Sequence, residues 1–365
     1  SGTAFGRAPG LVEIAARTAP LVGFVVLLLV WGRGLSGLLA LVVGLILVAA
    51  VLAAVHHAEV VAHRVGEPYG SLVLAVAVTV IEVALIVSLM ASGGAKAETL
   101  ARDTVFSALM ITTTGMVGLS LLSATLRRPI VKFNSEGAGA ALATIGALAV
   151  LTLVLPTFTT SSPGPTFTTG QLAFAAVASL ALYLLFVFVQ TVRHRDYFLN
   201  PGMDSEDEHS APPSNRAAAI SLGLLLVSLI AVVGLAKTLS PTIEQAVLSA
   251  GLPVAFVGVI IALVVLLPEG IASIRAARLG RVQTSLNLAF GSAMASIGLT
   301  IPTIAVAQIW LPTQLELGLG PVQIVLLAVA MFVSALTVVP GRATLQQAGV
   351  HIAIFAAFLA VSVAP

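Results

Sequence analysis

Val78-Thr79-Val80-Ile81-Glu82-Val83-Ala84-Leu85 and Leu266-Leu267-Pro268-Glu269-Gly270-Ile271-Ala272-Ser273 are two apolar runs, each broken by a single glutamate. Each is followed by a polar loop and a second run rich in small and hydroxyl residues. After the first comes Asp103-Thr104-Val105-Phe106-Ser107-Ala108-Leu109-Met110, and after the second Asn287-Leu288-Ala289-Phe290-Gly291-Ser292-Ala293-Met294. Setting Phe106 over Phe290 and Met110 over Met294 brings Asp103 over Asn287, so the chain carries an internal repeat.

Around these runs the sequence is a series of hydrophobic stretches about 20 residues long, the length that crosses a bilayer as a helix. They fall near 16–31, 35–55, 71–92, 103–126, 137–156, 171–192, 217–237, 251–274, 284–309, 321–340 and 346–364. The first could pass for a signal peptide, but Trp31-Gly32-Arg33 is a poor cleavage site and a second run follows at once, so it is read as a helix. Only 9% of the 365 residues are charged, where soluble domains carry about 25%. With 58% hydrophobic residues and a mean hydropathy of +1.10, a water-solvated globule is excluded. The runs lack the polar-in, apolar-out alternation of a membrane barrel. The expectation is an all-α polytopic membrane protein of about 11 transmembrane helices. The absence of cysteine removes disulfides, thiolate zinc sites and thiol nucleophiles. A net charge of +2 from a few loop arginines gives no reason to expect a nucleic-acid partner.

Loop charge sets the expected orientation. The N-terminus and segments 56–70, 127–136, 193–216, 275–283 and 341–345 hold 13 lysines and arginines, whereas the opposite segments hold four: Arg33, Lys96, Arg102 and Lys237. The positive-inside rule then puts the N-terminus in the cytoplasm and the C-terminus outside. The glutamates lie in the third and eighth spans, and a separation of five reverses direction through the bilayer. The repeat is therefore inverted. The expected organisation is an extra N-terminal helix (1–34), a first repeat with Glu82 (35–192), an acidic cytoplasmic linker (193–216) and a second repeat with Glu269 (217–365). Inverted repeats with polar groups near the midplane are a recurring plan of secondary transporters.

Glu82 and Glu269 are the only acidic residues well inside a span, and no lysine or arginine lies deep enough to pair with either. A charged carboxylate at the bilayer centre costs roughly 2.5–3.5 kcal/mol on insertion scales. It must hold a proton, a cation or water, and a close pair of acids exchanges protons for a cation. Oxygen ligands select hard cations such as Ca²⁺. Thr79, Ser107, Asn287 and Ser292 are expected to add supporting oxygens, and Gly291, Ser292 and Ser296 allow close approach, Ser296 offering a further oxygen. Asp103, at a membrane edge, reads as a helix N-cap.

The stretch Val55-His56-His57-Ala58-Glu59, then Gly66-Glu67-Pro68-Tyr69-Gly70 and Thr79 to Leu85, resembles the ChaA-type branch of the Ca²⁺/cation antiporter superfamily. Leu267 to Ser273 and Asn287 to Pro302 are similar to the second signature region of that branch. The resemblance covers essentially the whole chain. It implies a cation/proton antiporter fold of two five-helix halves plus one N-terminal helix, with the acidic ion-binding positions at Glu82 and Glu269. Thr114 stands where relatives often carry Asn, which leaves a side-chain ligand role there in doubt.

His56, Glu59 and His63, spaced by three and four, share a helical face beside His57. The cluster reads as a polar helix end, as a pH-sensing or gating element, or as the zinc site of an intramembrane enzyme, although it is not H-E-x-x-H. The leading expectation is exchange of Ca²⁺ for H⁺ by alternating access in a plasma (inner) membrane. Na⁺(K⁺)/H⁺ exchange at the same site is the alternative within transport, and a passive channel is a third reading. Cations, protons and the lipid bilayer are the expected partners, with no resident cofactor.

Overall fold

With no water in hydrocarbon to satisfy backbone amides, apolar runs of this length have to close their own hydrogen bonds as helices. The computed structural model describes residues 11–35, 37–66, 69–91, 97–201, 213–310 and 315–364. The acidic cluster 204–208 and the Glu67-Pro68 pair lie outside them. Among the described residues ten helices are long and apolar enough to cross a membrane, and the eleventh expected span holds the shorter apolar stretch Val76–Val87. The described chain groups into two compact units.

One unit comprises the described residues up to Ala77 together with 213–242. It contains α1 (Leu11–Val30), α2 (Gly37–Val65), the start of α3 (Tyr69–Ala91) and most of α9 (Asn215–Ser249). Small residues let these helices approach closely, as is usual where lipid removes the hydrophobic drive between helices. A side chain at Gly234 would lie 2.5 Å from Leu27 Cδ1, and one at Gly23 would touch Ala231 and Ala50 at 3.3 and 3.4 Å. The Thr242 hydroxyl donates to the Leu35 carbonyl at 2.9 Å. Lys237 is not the loop residue expected from hydropathy. α9 runs 35 residues, about 52 Å at 1.5 Å per residue, and its Lys237 ammonium sits 5.9 Å over the Trp31 ring.

The other unit holds the remainder of α3 and the spans that follow. These are α4 (Ala97–Met110), α5 (Val117–Thr125), α6 (Ser135–Ala149), α7 (Leu155–Phe158), α8 (Thr169–Phe188), α10 (Phe256–Arg278), α11 (Val282–Ala307), α12 (Pro321–Val338) and α13 (Leu345–Val363). Three spans contain a π-helical stretch: Ile111–Met116 joins α4 to α5, Val150–Val154 joins α6 to α7, and Val189–Arg193 continues α8. Because α4 begins at Ala97, Asp103 is inside the helix and not its N-cap. It is buried and paired with Arg102 at 2.9 Å.

The inverted repeat is visible in this unit's hydrogen bonds. β1 (Val131–Lys132) pairs antiparallel with β2 (Arg342–Ala343), and Phe133 N donates to Gly341 O at 3.0 Å. This seam joins the start of α6 to the start of α13. Its counterpart is the antiparallel bridge Thr166–Glu316, where Gly318 N donates to Pro165 O at 3.0 Å, joining the starts of α8 and α12. Phe133 thus corresponds to Gly318 and Gly341 to Pro165. Since α6 and α8 are successive antiparallel spans, the two seams lie at opposite faces. The same correspondence matches the helix caps: Thr168 with Gln171 forms a capping box on α8, and Thr344 with Gln347 forms one on α13.

Gly137 marks a close approach on α6. A Cβ there would lie 2.2 Å from the Tyr197 carbonyl oxygen, whereas one at Gly146 of the same helix meets nothing within 4 Å. Gly137→Ala is expected to destabilise the protein by about 1–3 kcal/mol, seen as a lowered thermal midpoint in detergent. Gly146→Ala should leave the midpoint unchanged or raise it, since alanine favours the helix by up to about 1 kcal/mol.

Candidate functional site

Glu82 is 3% exposed on α3, and the Ser296 hydroxyl of α11 donates to its Oε2 at 2.7 Å. Its Oε1 is buried and has no hydrogen-bond partner among the described residues. Glu269 is half-buried on α10 and follows Pro268, a buried proline inside the helix. Proline has no N–H, so the helical bond to the Val264 carbonyl, one turn earlier, is not made. α11 packs against α10 and, through Ser296, against Glu82, so one helix borders both acid-bearing helices.

The wall next to α10 is the π-helical stretch Ile111–Met116, every residue of which is buried. Its hydroxyls turn back on their own helix: Thr112 donates to the Ala108 carbonyl at 2.8 Å, Thr113 to Leu109 at 2.6 Å and Thr114 to Met110. The Thr113 carbonyl lies 3.1 Å from His351 Nδ1. A carbonyl can only accept, so that nitrogen carries the proton. His351 Nε2 meets the Thr337 hydroxyl at 3.1 Å. Gly118 makes room for this contact, because a Cβ there would come within 3.1 Å of His351 Cβ. One turn beyond Glu269, Ser273 links to Ser120 at 3.0 Å and to Ser285 at 2.8 Å, forming a buried hydroxyl cluster.

The supporting residues expected from sequence divide into two groups. Thr79 is buried on the glutamate helix and Ser292 is half-buried one turn before Ser296. The other two are engaged inside the protein. Ser107 donates to the Asp103 carbonyl at 2.5 Å. Asn287 donates to the Phe198 carbonyl at 2.7 Å and accepts from Gln283 at 2.9 Å. Ser296, read from sequence only as an oxygen near the site, is the hydroxyl that reaches Glu82. Sequence reading missed His351 and Arg102. The former sits in an ordinary apolar run, and the latter looks like a loop charge.

His56, Glu59 and His63 do share the outer side of α2, half-buried or exposed. His57 is different: it is 3% exposed, with Nε2 3.0 Å from the Ala16 carbonyl and Nδ1 3.3 Å from Ser221 Oγ. Both ring nitrogens are thereby occupied. Among the described residues no group of three or more His, Asp or Glu side chains could hold a metal ion.

The sequence profile of the sodium/calcium exchanger protein family matches residues 35–192 and 220–364. The chain belongs to this family. Within the Ca²⁺/cation antiporter superfamily it lies close to the ChaA type. It is similar to the putative ionic transporter y4hA of Sinorhizobium fredii, with 49% identity over 88% of this chain and 87% of the relative. The sodium-potassium/proton antiporter ChaA of Escherichia coli is 35% identical over 93% of each chain. Among solved structures, the H⁺/Ca²⁺ exchanger CAX superposes with a TM-score of 0.72 at 16% identity, covering 95% of this chain and 87% of its own. Native YfkE superposes with a TM-score of 0.69 at 18% identity, covering 94% and 96%. At such identities the two structures establish the exchanger fold alone.

As a member of this family the protein is a secondary transporter of cations and not an enzyme. Ser296→Ala, which removes a hydrogen bond to an acidic group, is expected to weaken the apparent cation affinity roughly ten-fold. Ser292→Ala should weaken it by a smaller factor, about two- to five-fold. Cation-concentration dependence of flux in reconstituted vesicles measures both.

Proposed function

We propose that this exchanger carries Ca²⁺ in one direction and protons in the other, with Glu82 and Glu269 binding either the cation or the protons. The observation that carries the reading is Glu82: a carboxyl group in hydrocarbon with one oxygen held by Ser296 and the other without a partner among the described residues. Such a group requires a proton or a cation. Glu269, at the corresponding place in the second repeat, supplies the second charge that a divalent ion needs. Thr79, one turn before Glu82, and Ser292, one turn before Ser296, supply further oxygens, and the carbonyl one turn before Pro268 adds another. Two carboxylates release two protons for one Ca²⁺, so the exchange is electroneutral. Alternating access comes from one group of helices moving against the other around this site.

The functional halves are residues 35–192 and 217–365, joined by the linker 193–216 and preceded by the extra helix within 1–34. The two segments matched by the family profile support this division. Loop charge supports a cytoplasmic N-terminus and an outward C-terminus, and the plasma membrane is the residence proposed with them. His56, Glu59 and His63, on the accessible side of α2, are proposed to tune the response to pH.

Na⁺ or K⁺ exchange for H⁺ is the second reading. It is favoured by the 35% identical relative, whose name is that of a sodium-potassium/proton antiporter.

Proteoliposomes with an imposed pH gradient separate the readings when Ca²⁺, Na⁺ and K⁺ are supplied singly. Ca²⁺-driven proton release is expected from the native chain, and Glu82→Gln and Glu269→Gln should each reduce it to the level of empty vesicles. Proton release with Na⁺ or K⁺ but not Ca²⁺ would establish the second reading. Full exchange in either glutamine variant would refute the shared site. Acidifying the cation-binding side should weaken apparent cation affinity, because protons compete for the same carboxylates.

A further inference from the structure

The loops that follow α5, α10 and α12 end at one face of the larger unit, and they are strongly basic. Arg127 and Arg128 leave α5, Arg275 and Arg278 occupy the last turn of α10, and Lys132 and Arg342 belong to the β1–β2 seam. All six are exposed. They are drawn together, since Arg127 donates to the Arg278 carbonyl at 3.5 Å and the Arg128 guanidinium lies beside Gly280. No acidic residue occurs in 126–134, 275–285 or 339–347. The nearest acid in sequence, Glu136, is hydrogen-bonded to Tyr197, whose phenol it holds above its ordinary pKa.

Two features go beyond a generic positive end of a membrane protein. Lys132 and Arg342 are direct cross-strand partners in a ribbon only two residues long. Like charges facing each other across strands are destabilising, and nothing in these loops offsets them. The cations are also interleaved with apolar side chains held out of the protein: Leu126 is 70% exposed, Leu279 64% and Ile130 50%. Side chains of this kind, next to guanidinium groups at the ends of spanning helices, have an apolar medium on one side and an anionic layer on the other. A soluble polyanion would leave Leu126 and Leu279 in water.

We propose that this face is a binding surface for anionic phospholipid headgroups, with phosphates seated between the α5–β1 loop, the end of α10 and the Lys132–Arg342 pair. Leu126, Ile130 and Leu279 enter the acyl layer beneath them. Each cation near an anionic membrane surface strengthens binding about five-fold, so six converging on one patch select anionic over zwitterionic lipid.

The test uses the purified full-length protein, given equal amounts of phosphatidylglycerol and phosphatidylcholine and read by native mass spectrometry. The native chain is expected to retain phosphatidylglycerol at least about five-fold over phosphatidylcholine. Changing Arg127, Arg128, Lys132 and Arg342 to Gln should lower the preference at least about five-fold, while Arg127→Lys with Arg128→Lys should preserve it. A charge-matched control changes Arg17, Arg33, Arg64 and Arg216 to Gln and should keep the preference. If the four-Gln protein is not monodisperse, the single variants Arg128→Gln and Arg342→Gln are compared instead, each expected to lower the preference about two-fold or more. Equal retention of the two lipids by the native chain would overturn the proposal, as would loss of preference in the charge-matched control. Displacement of the lipid by millimolar glycerol phosphate would also overturn it, assigning the patch to a soluble anion.

Discussion

A carboxyl group surrounded by hydrocarbon must be neutralised or bonded, and the arrangement around Glu82 follows from that requirement. Ser296 supplies one hydroxyl at 2.7 Å, and a long side chain at 296 would remove it. α11 accordingly carries Ala293, Ala295, Ser296 and Gly298 in its buried stretch, small residues that bring the helix close to its neighbours. The neighbouring hydroxyls of the Ile111–Met116 stretch bond to their own helix and leave the polar character of the region to the two acids.

The architecture was largely legible because the physics that writes it is coarse. Lipid demands runs of about 20 apolar residues, and an intramembrane acid is rare enough to identify a site by itself. The spans could be read on these terms, and so could Glu82, an acid that the structure buries within them. Residues whose role depends on what lies across a helix interface could not. Lys237 looks like the end of a span, yet α9 continues past it through Pro241 to Ser249, and the Lys237 charge lies over the Trp31 ring. His57 looks like one member of a polar cluster, but the facing backbone of Ala16 and the Ser221 hydroxyl set it apart from His56. The π-helical stretches leave no trace in hydropathy, since one extra residue per turn changes neither composition nor length of an apolar run.

The repeat is retained where hydrogen bonds close the fold and relaxed elsewhere. Asp103 and Asn287 align, and both anchor a neighbouring segment by different chemistry. Asn287 binds the Phe198 carbonyl directly. Asp103 holds Arg102, which reaches the Gly318 carbonyl at 3.2 Å. An ion pair that is mostly buried needs both partners, so the two aligned positions tolerate substitution differently even though they arose at equivalent places.

The two seams have a mechanical consequence. α6 runs on through α7 to α8, α8 is sewn to α12, α12 runs into α13, and α13 is sewn back to α6. Four helices, two from each repeat, therefore form a closed hoop whose links alternate between chain and hydrogen bonds at opposite faces. Within it α6 and α12 are tied at both ends, whereas α8 and α13 are tied only at their starts, so these links resist sideways pressure from the bilayer at both ends of the first pair and at one end of the second.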